Sequence, residues 1–520
     1  MNEPPDRRSG PGADAADAGV SADPPAANPG PSPAPGSSAA LGTNQTPAHA
    51  PLINDAIITI VTRFVLAVVI FATDIALARL LGPSARGRFA LVLLTSQLAA
   101  LVAGWGMDSA LGVVSRRDPE TARRGFANAL IWSAGVGGFC VVLACWAYGL
   151  PTDIRPDGPL ASLIPNLSAQ QFLFAALAIP GELFFAVGLF ALLGRGQILA
   201  YNQIRVLRRA LLLALAVGAA AIARLSLDVA LVMNLVALAI TVIAISWVAR
   251  RDGTFSLRPS GPLLAEELHF GSRAIVGTIA ERLQFRSDAF LVNLIVGVRA
   301  TGIYSVTSGL AETLWYVPNA LGTVMFSRAV DPRTDAGRIA AVLTRTTLAV
   351  ALVTAVPAFV FGPRLVRIFY GSRFTDAGVA LRLILPGVVA YSVVAVLSRY
   401  IVGRGRPGIG TLILVTGLAT NVGANLVLIP RFGINGAAAS SSLSYILTAG
   451  LTLLAFRRLS GRGVIETLVV RRSDLVALGR TLRAGIDRLR GRRTGHLVGL
   501  RGGDEAAELL IGEREPGEER

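Results

Sequence analysis

One apolar stretch, residues 270–296, carries six side chains that sit badly in hydrocarbon: Glu281, Arg282, Gln284, Arg286, Asp288 and Asn293. At about 100° per residue along a helix, Arg282, Arg286 and Asn293 form one stripe. Glu281, Gln284 and Asp288 form another, about a third of a turn away. An ionisable group at the centre of a bilayer costs roughly 2.5–3.5 kcal/mol on insertion scales, so both stripes should face protein or a water-filled cavity. Arg282 falls about 18 Å along a helix entered at residue 270, near mid-membrane. Two arginines one turn apart can hold a phosphate-type anion through bidentate hydrogen bonds. The alternative is structural, with Glu281 and Asp288 neutralising arginines of neighbouring helices. The anion role suits Arg282 and Arg286, and the ion-pair role suits Glu281 and Asp288.

Other polar groups recur in apolar surroundings. Arg63 and Asp74 are eleven residues apart and share a helix face. Arg63 either looks into the same cavity or snorkels to the surface; Asp74 is expected to pair across an interface. Glu312 can serve proton or cation coupling, or it can hold an arginine. Asn421 and Asn425, one turn apart, either bond between helices or meet a ligand's hydroxyls. Glu182 and Asp108 are weaker candidates. Pro318 should kink its helix. The histidines His49, His269 and His496 are scattered, and both cysteines, Cys140 and Cys145, lie in one apolar run. No metal site, disulfide framework, catalytic residue or cofactor is therefore expected, which removes most hydrolase and metalloenzyme chemistry.

The elements that position these groups follow from composition. Hydrophobic residues make up 52% of the 520 residues and charged ones only 16%, against roughly 25% in soluble domains. Apolar runs of helical length follow one another: 53–81, 88–113, 127–150, 169–193, 205–223, 228–249, 270–296, 303–327, 340–361, 376–402, 408–429 and 434–456. Their length and Leu/Ala content indicate helices, since outer-membrane strands are about ten residues long and alternate in polarity. The fold class is all-α, a polytopic membrane protein of twelve transmembrane helices. All 49 basic residues are arginine, clustered between the runs, as membrane insertion produces and nucleic-acid binding does not require. Nineteen arginines fall in the loops of one side and ten on the other. That skew places both termini in the cytoplasm, with the first and fifth outer loops as exceptions. The expected divisions are a Pro/Ala-rich disordered tail, 1–51; a first six-helix lobe, 52–250; an inter-lobe loop, 251–269; a second lobe, 270–457; and a cytoplasmic tail, 458–520. Within the last, 471–493 has the spacing of a basic amphipathic helix, either lying on the inner leaflet or solvated.

The lobes repeat. Gly82 and Gly87 recur as Gly297 and Gly302, Gln97 falls on Glu312, and Gly194-Arg195-Gly196 recurs as Gly403-Arg404-Gly405. An even number of spans per lobe makes the repeats parallel, and a cavity between two such lobes is the usual place for a transported substrate.

Three segments then resemble a known family. GIYSVTSGLAETLWYVPNALGTVMFSR (302–328) looks like the eighth helix of bacterial polysaccharide flippases, residues 401–445 like their tenth to twelfth helices, and LARLLGPSARGRFALV (77–92) like their first hairpin. The family is that of the oligosaccharide flippases, in the superfamily that also holds MATE multidrug exporters and lipid II flippases. The resemblance implies movement of an undecaprenyl-pyrophosphate-linked oligosaccharide from the inner to the outer leaflet of the bacterial plasma membrane, with membrane lipids, glycosyltransferases and a glycan polymerase as partners. Two rivals remain. A MATE-type antiporter favours an acidic cavity, whereas the 270–296 stretch offers arginines. A membrane polymerase or ligase needs a large catalytic outer loop, and residues 151–168 contain only Asp153, Arg155 and Asp157 as charged groups.

Overall fold

This computed structural model describes residues 50–149, 158–222, 225–316 and 335–470, with scattered positions between 318 and 329; over 50–64 it describes the helix but not the side chains. The expectations for the N-terminal tail up to residue 49, for the 471–493 helix and for the Arg63 side chain lie outside the described residues. Apart from one short 3-10 turn, Ser372–Phe374, the described elements are α-helices. The first lobe holds α1 (Ala50–Gly104), α2 (Met107–Val114), α3 (Pro119–Tyr148), α4 (Pro159–Leu163), α5 (Ala169–Gly194), α6 (Ile198–Ile222) and α7 (Leu227–Arg251). The second holds α8 (Gly261–Ile295), α9 (Val298–Thr313), α10 (Ala336–Tyr370), α11 (Asp376–Gly403), α12 (Pro407–Phe432) and α13 (Ile434–Ser460); α14 (Val464–Leu468) follows.

Each expected span meets a helix, but two details differ. The first span and most of the second are the two helical halves of α1, which meet at Gly82, where a φ of 72° and a ψ of 174° break the helical path just before Pro83. The second span is interrupted again at Trp105-Gly106 before it ends in α2. Gly297, the repeat partner of Gly82, has nearly the same conformation (φ 111°, ψ 175°) between α8 and α9. Only glycine enters this region without steric cost. Among the described residues, eight spans are long and apolar enough to cross a bilayer by length and composition alone. Helices α6, α8 and α9 are not among them: α6 carries Arg205, Arg208 and Arg209, α8 carries the two polar stripes, and α9 has only 16 residues. These three, with α1 and the end of α10, border the space between the lobes.

Proline shapes two more places. After α9 the helix loosens at Leu314 and Trp315, whose N–H groups reach back only three residues, to Ala311 and Glu312. Pro318 explains the position, because its ring crowds the carbonyl four residues earlier, that of Leu314. In α10, Pro363 cannot donate to the carbonyl of Phe359. Arg382 of α11 does so instead: its Nε donates to Phe359 O at 2.8 Å and its Nη2 to Val360 O at 3.0 Å.

The lobes touch at two ends. At the hinge-glycine end α1 crosses α9 so closely that the repeat partners meet: a methyl group on Gly302 would collide with the carbonyl oxygen of Pro83, and one on Gly87 with that of Val298. Around this crossing Ala78, Ile303, Val306, Val366 and Phe374 form a buried seam, joined by Phe71 and Ile75. Arg79 donates to the carbonyls of Ile368 and Phe369 at the end of α10 (Phe369 O at 2.6 Å), and Asn293 donates to Pro165 O at 2.8 Å. At the α2 end the turn Trp105-Gly106 packs on Gly271 of α8, backbone against backbone. There Arg117 also pairs with Glu266 at 2.5 Å.

Candidate functional site

Between these two contacts lies a cavity of about 180 Å³ lined by both lobes. The bend at Gly82 returns α1 along its own path, so one helix lines the cavity twice, with Asp74 and Leu77 before the bend and Arg86, Phe89 and Gln97 after it. Helix α6 adds Arg209, α8 adds Phe285, Arg286 and Asp288, and α9 adds Ser305, Ser308 and Glu312; Tyr370 closes the space from α10. Drug-sized ligands occupy pockets of about 300–1,000 Å³. The present volume accommodates a small charged group, and a longer substrate requires the lobes to part.

Four of the six charged groups in the lining form two ion pairs. Arg86 forms an ion pair with Asp74, which also accepts from the Tyr370 hydroxyl at 3.3 Å. The two acid partners, Arg86 and Tyr370, come from different lobes. Arg286 grips Glu312 with both terminal nitrogens, at 2.6 and 2.9 Å. Asp288 is fully buried and accepts from the hydroxyls of Tyr304 and Ser441 and from the N–H of Ala289. Arg209 has no ion-pair partner among the described residues. It feels the attraction of Glu182 and Asp74 and the repulsion of Arg208 and Arg86. Its neighbour Arg208 is engaged with Glu182, through Nη1 at 2.9 Å and through Nη2, and lies 4.5 Å from the Phe185 ring centre. The lining therefore holds three arginines and three carboxylates. It is charge-balanced rather than cationic, and its uncommitted positive charge sits at Arg209.

The structure distributes the expected site residues differently from one another. Arg286, Asp74, Asp288 and Glu312 line the cavity, as does Gln97, the repeat partner of Glu312. Arg282 is exposed and outside the lining, one turn towards the α2 end. Among the described residues Glu281 has no arginine partner; the Tyr391 hydroxyl reaches it at 3.5 Å. Asp288 likewise has hydroxyl donors instead of an ion pair, because α9 and α13 present Tyr304 and Ser441 there. Asn421 and Asn425 are buried inside the second lobe, away from the cavity. Asn421 accepts from Ser287 Oγ at 3.0 Å and from Asn425 Nδ2 at 3.0 Å, so these residues tie α12 to α8 and α13. Asp108 is spent locally, accepting from Ser109 N at 2.7 Å in the first turn of α2. Trp315 packs with Phe285, Tyr391 and Tyr445 beside the cavity, while Trp146 and Trp247 face outward.

Arg86, Arg209 and Tyr370 were missed. The charge skew counts Arg86 with an outer loop and Arg209 with an inner one, although Arg209 falls inside the apolar run 205–223. Helix α6 starts at Ile198, so Arg209 lies roughly 16 Å along it at 1.5 Å per residue, deep in the bundle. The signal was present in the doublet Arg208-Arg209 followed by unbroken apolar sequence.

Comparison with known proteins adds the following. A family model described as "Polysaccharide biosynthesis protein" matches residues 76–378, and one described as "Lipid II flippase MurJ" matches residues 321–481. The probable low-salt glycan biosynthesis flippase Agl15 of Haloferax volcanii is 23% identical over 225 residues, 40% of this chain and 46% of that protein. An uncharacterized membrane protein, MJ1068, of Methanocaldococcus jannaschii is 22% identical over 200 residues, 36% of this chain and 38% of that one. The chain thus spans less than half the length of these curated relatives. Among solved structures, the lipid II flippase MurJ in an inward closed conformation superposes with a TM-score of 0.65 at 12% identity, covering 88% of this chain and 96% of that one. An inward-facing multidrug resistance MATE family transporter of the MOP superfamily gives 0.62 at 17% identity, covering 78% and 98%. At such identities the likeness shows the fold alone.

Proposed function

The chain belongs to the polysaccharide biosynthesis protein family, and from that premise we propose that it flips a lipid-linked oligosaccharide between membrane leaflets. In this reading the substrate is an undecaprenyl-pyrophosphate-linked glycan made at the cytoplasmic face of the bacterial plasma membrane. Both termini are cytoplasmic, the α2 end faces the cytoplasm, and glycosyltransferases and a polymerase act before and after the transfer. The lobes rock about the cavity, opening first at the α2 end and then at the hinge-glycine end.

The observation that carries this reading is Arg209, an arginine in the inter-lobe cavity without an ion-pair partner among the described residues, flanked by Arg86 and Arg286 on carboxylates that a stronger anion can displace. A pyrophosphate group offers several oxygens to planar guanidinium forks. It would meet Arg209 first and then compete with Asp74 and Glu312 for the other two. The lipid tail need not enter: the polar head occupies the cavity while the tail stays in the bilayer. A cationic drug would meet the opposite arrangement, since its natural partners, Asp74 and Glu312, are already held by arginines. The match of residues 321–481 to the lipid II flippase model supports a second reading, in which the head group carries a peptide.

The test is complementation of a deletion strain, with surface glycan normalised to membrane protein level. Arg209→Ala should abolish export and leave lipid-linked glycan at the inner face, while Arg209→Lys keeps the charge, loses the fork and retains partial export. Full export by Arg209→Ala at normal protein level overturns the reading.

A further inference from the structure

Glu267 of α8 lies in the lobe contact at the α2 end with 0% exposure. Its Oε2 accepts one hydrogen bond, from Asn128 Nδ2 of α3 at 3.0 Å, and its Oε1 is buried without a partner. Asn128 is itself fixed, accepting from Ser260 N at 2.9 Å. The opposite wall is Gly125, where a methyl group would come within 2.9 Å of Oε1. Among the described residues, the groups packed around the carboxyl give it no positive charge. Helix α3 presents Asn128 and Gly125; α2 buries only Met107, Ala110, Leu111 and Val114. On α8 the neighbouring Glu266 adds a like charge, and it is already engaged by Arg117 at 2.5 Å.

A carboxylate with one neutral donor and one bare buried oxygen is far costlier than the neutral acid. Burial pushes the Glu267 carboxyl up to about 7, with Glu266 acting in the same direction and the Asn128 hydrogen bond opposing. We infer that Glu267 is a proton-binding site of the lobe contact, loaded when α8 docks on α3 and emptied into water when that contact opens. Opening at this end is thereby tied to release of one proton, at a point separate from the substrate cavity. The inference depends only on the lobes parting, not on what they carry.

The sign of the effect follows from linkage. The docked state has the raised value and the open state the ordinary one near 4.5, so docking is favoured when Glu267 is protonated and is lost as pH rises through about 7. Between pH 5 and pH 8 the docked-to-open ratio should fall roughly fiftyfold to a hundredfold. The experiment uses the full chain in lipid nanodiscs with Cys140 and Cys145 replaced by alanine and spin labels at Arg116→Cys and Ala265→Cys, both exposed and on opposite sides of the contact. Pulsed electron paramagnetic resonance then reads the short-distance population against pH. That population should drop across pH 6–8 in the parent, while Glu267→Gln, which mimics the protonated acid, should stay docked throughout. Asn128→Asp removes the neutral donor and sets a second carboxylate against the first, so docking should be lost at lower pH and over a narrower pH range than in the parent. A parent population that does not change with pH, or a pH dependence surviving in Glu267→Gln, overturns the inference.

Discussion

Substituting alanine for Gly302 tests whether the lobes part at the hinge-glycine end. A methyl group there collides with the backbone carbonyl of Pro83, and the atoms around it, including Gly87 N at 2.9 Å, are also backbone. No rotamer change relieves the clash. An ordinary carbon–oxygen contact needs about 3.3–3.6 Å, so α1 and α9 must separate by more than about 1 Å at their crossing. Overpacking of that size costs about 1–3 kcal/mol in a rigid core. In the proposed rocking of the lobes this contact opens, so the strain should appear as a shift of the open-to-closed equilibrium by about 5- to 150-fold. Ser308 lines the cavity, and a cysteine placed there in a background lacking Cys140 and Cys145 reports opening through its reaction with an impermeant thiol reagent. Gly302→Ala and Gly87→Ala should both speed labelling and lower glycan export at normal protein levels. Gly450→Ala, on α13 with open space around it, should leave both unchanged. Unaltered labelling and export in Gly302→Ala would refute the idea that this crossing is a seal.

Other outcomes can be stated briefly. Arg286→Ala or Glu312→Ala should each lower the thermal unfolding midpoint by the equivalent of about 1–2 kcal/mol, a figure reduced from that of a buried pair because the side chains are 29% and 34% exposed; the double variant should lose less than the sum in a double-mutant cycle. Arg382→Met should lower the unfolding midpoint as well, because it strips two carbonyls of their donors near Pro363, while Pro363→Ala on that background should recover part of the loss, read by the same melts. Cysteines at Gly158 and Gly253 should differ in whole cells, the first reacting with an impermeant reagent and the second protected; the reverse pattern would invert the proposed orientation.

Much of the fold was legible because hydrocarbon imposes length and composition on whatever crosses it, and the repeat of Gly82-Gly87 at Gly297-Gly302 marked the two hinges. The site was legible only in part. Glu312 and Arg286 stood out as charges inside apolar runs, yet nothing in their spacing shows that they face one another. Arg86 was concealed because the charges between residues 81 and 88 read as a loop, and Arg209, although inside the run 205–223, because arginines near the start of a span read as belonging to the loop before it, whereas a cavity lets charge run deep. For Asn421 and Asn425 the sequence favours packing over a ligand, and in the structure they bond with Ser287 and Ser441 on neighbouring helices. Some of the arginines that spoil the charge skew have structural work at the hinge-glycine end: Arg79 donates to the last carbonyls of α10, and Arg88 to Asn166 O at 3.2 Å.

The substitution of a guanidinium for a missing amide at Pro363 has a mechanical side. Beyond this proline, the last turns of α10 carry Phe369 against Phe71, with ring centres 5.4 Å apart, and Tyr370 against Asp74, so they adhere to the first lobe although they belong to the second. A proline break in hydrocarbon normally resists flexing, because bending bares a carbonyl that nothing can solvate. Arg382 serves two successive carbonyls from the side, so the tip can swing through a modest angle while at least one bond is kept. The tip can then follow the departing lobe for part of its travel while the rest of α10 stays in place. Separation at this end would proceed by peeling, one contact after another, and the largest single barrier would be smaller than that of a rigid helix letting go all at once.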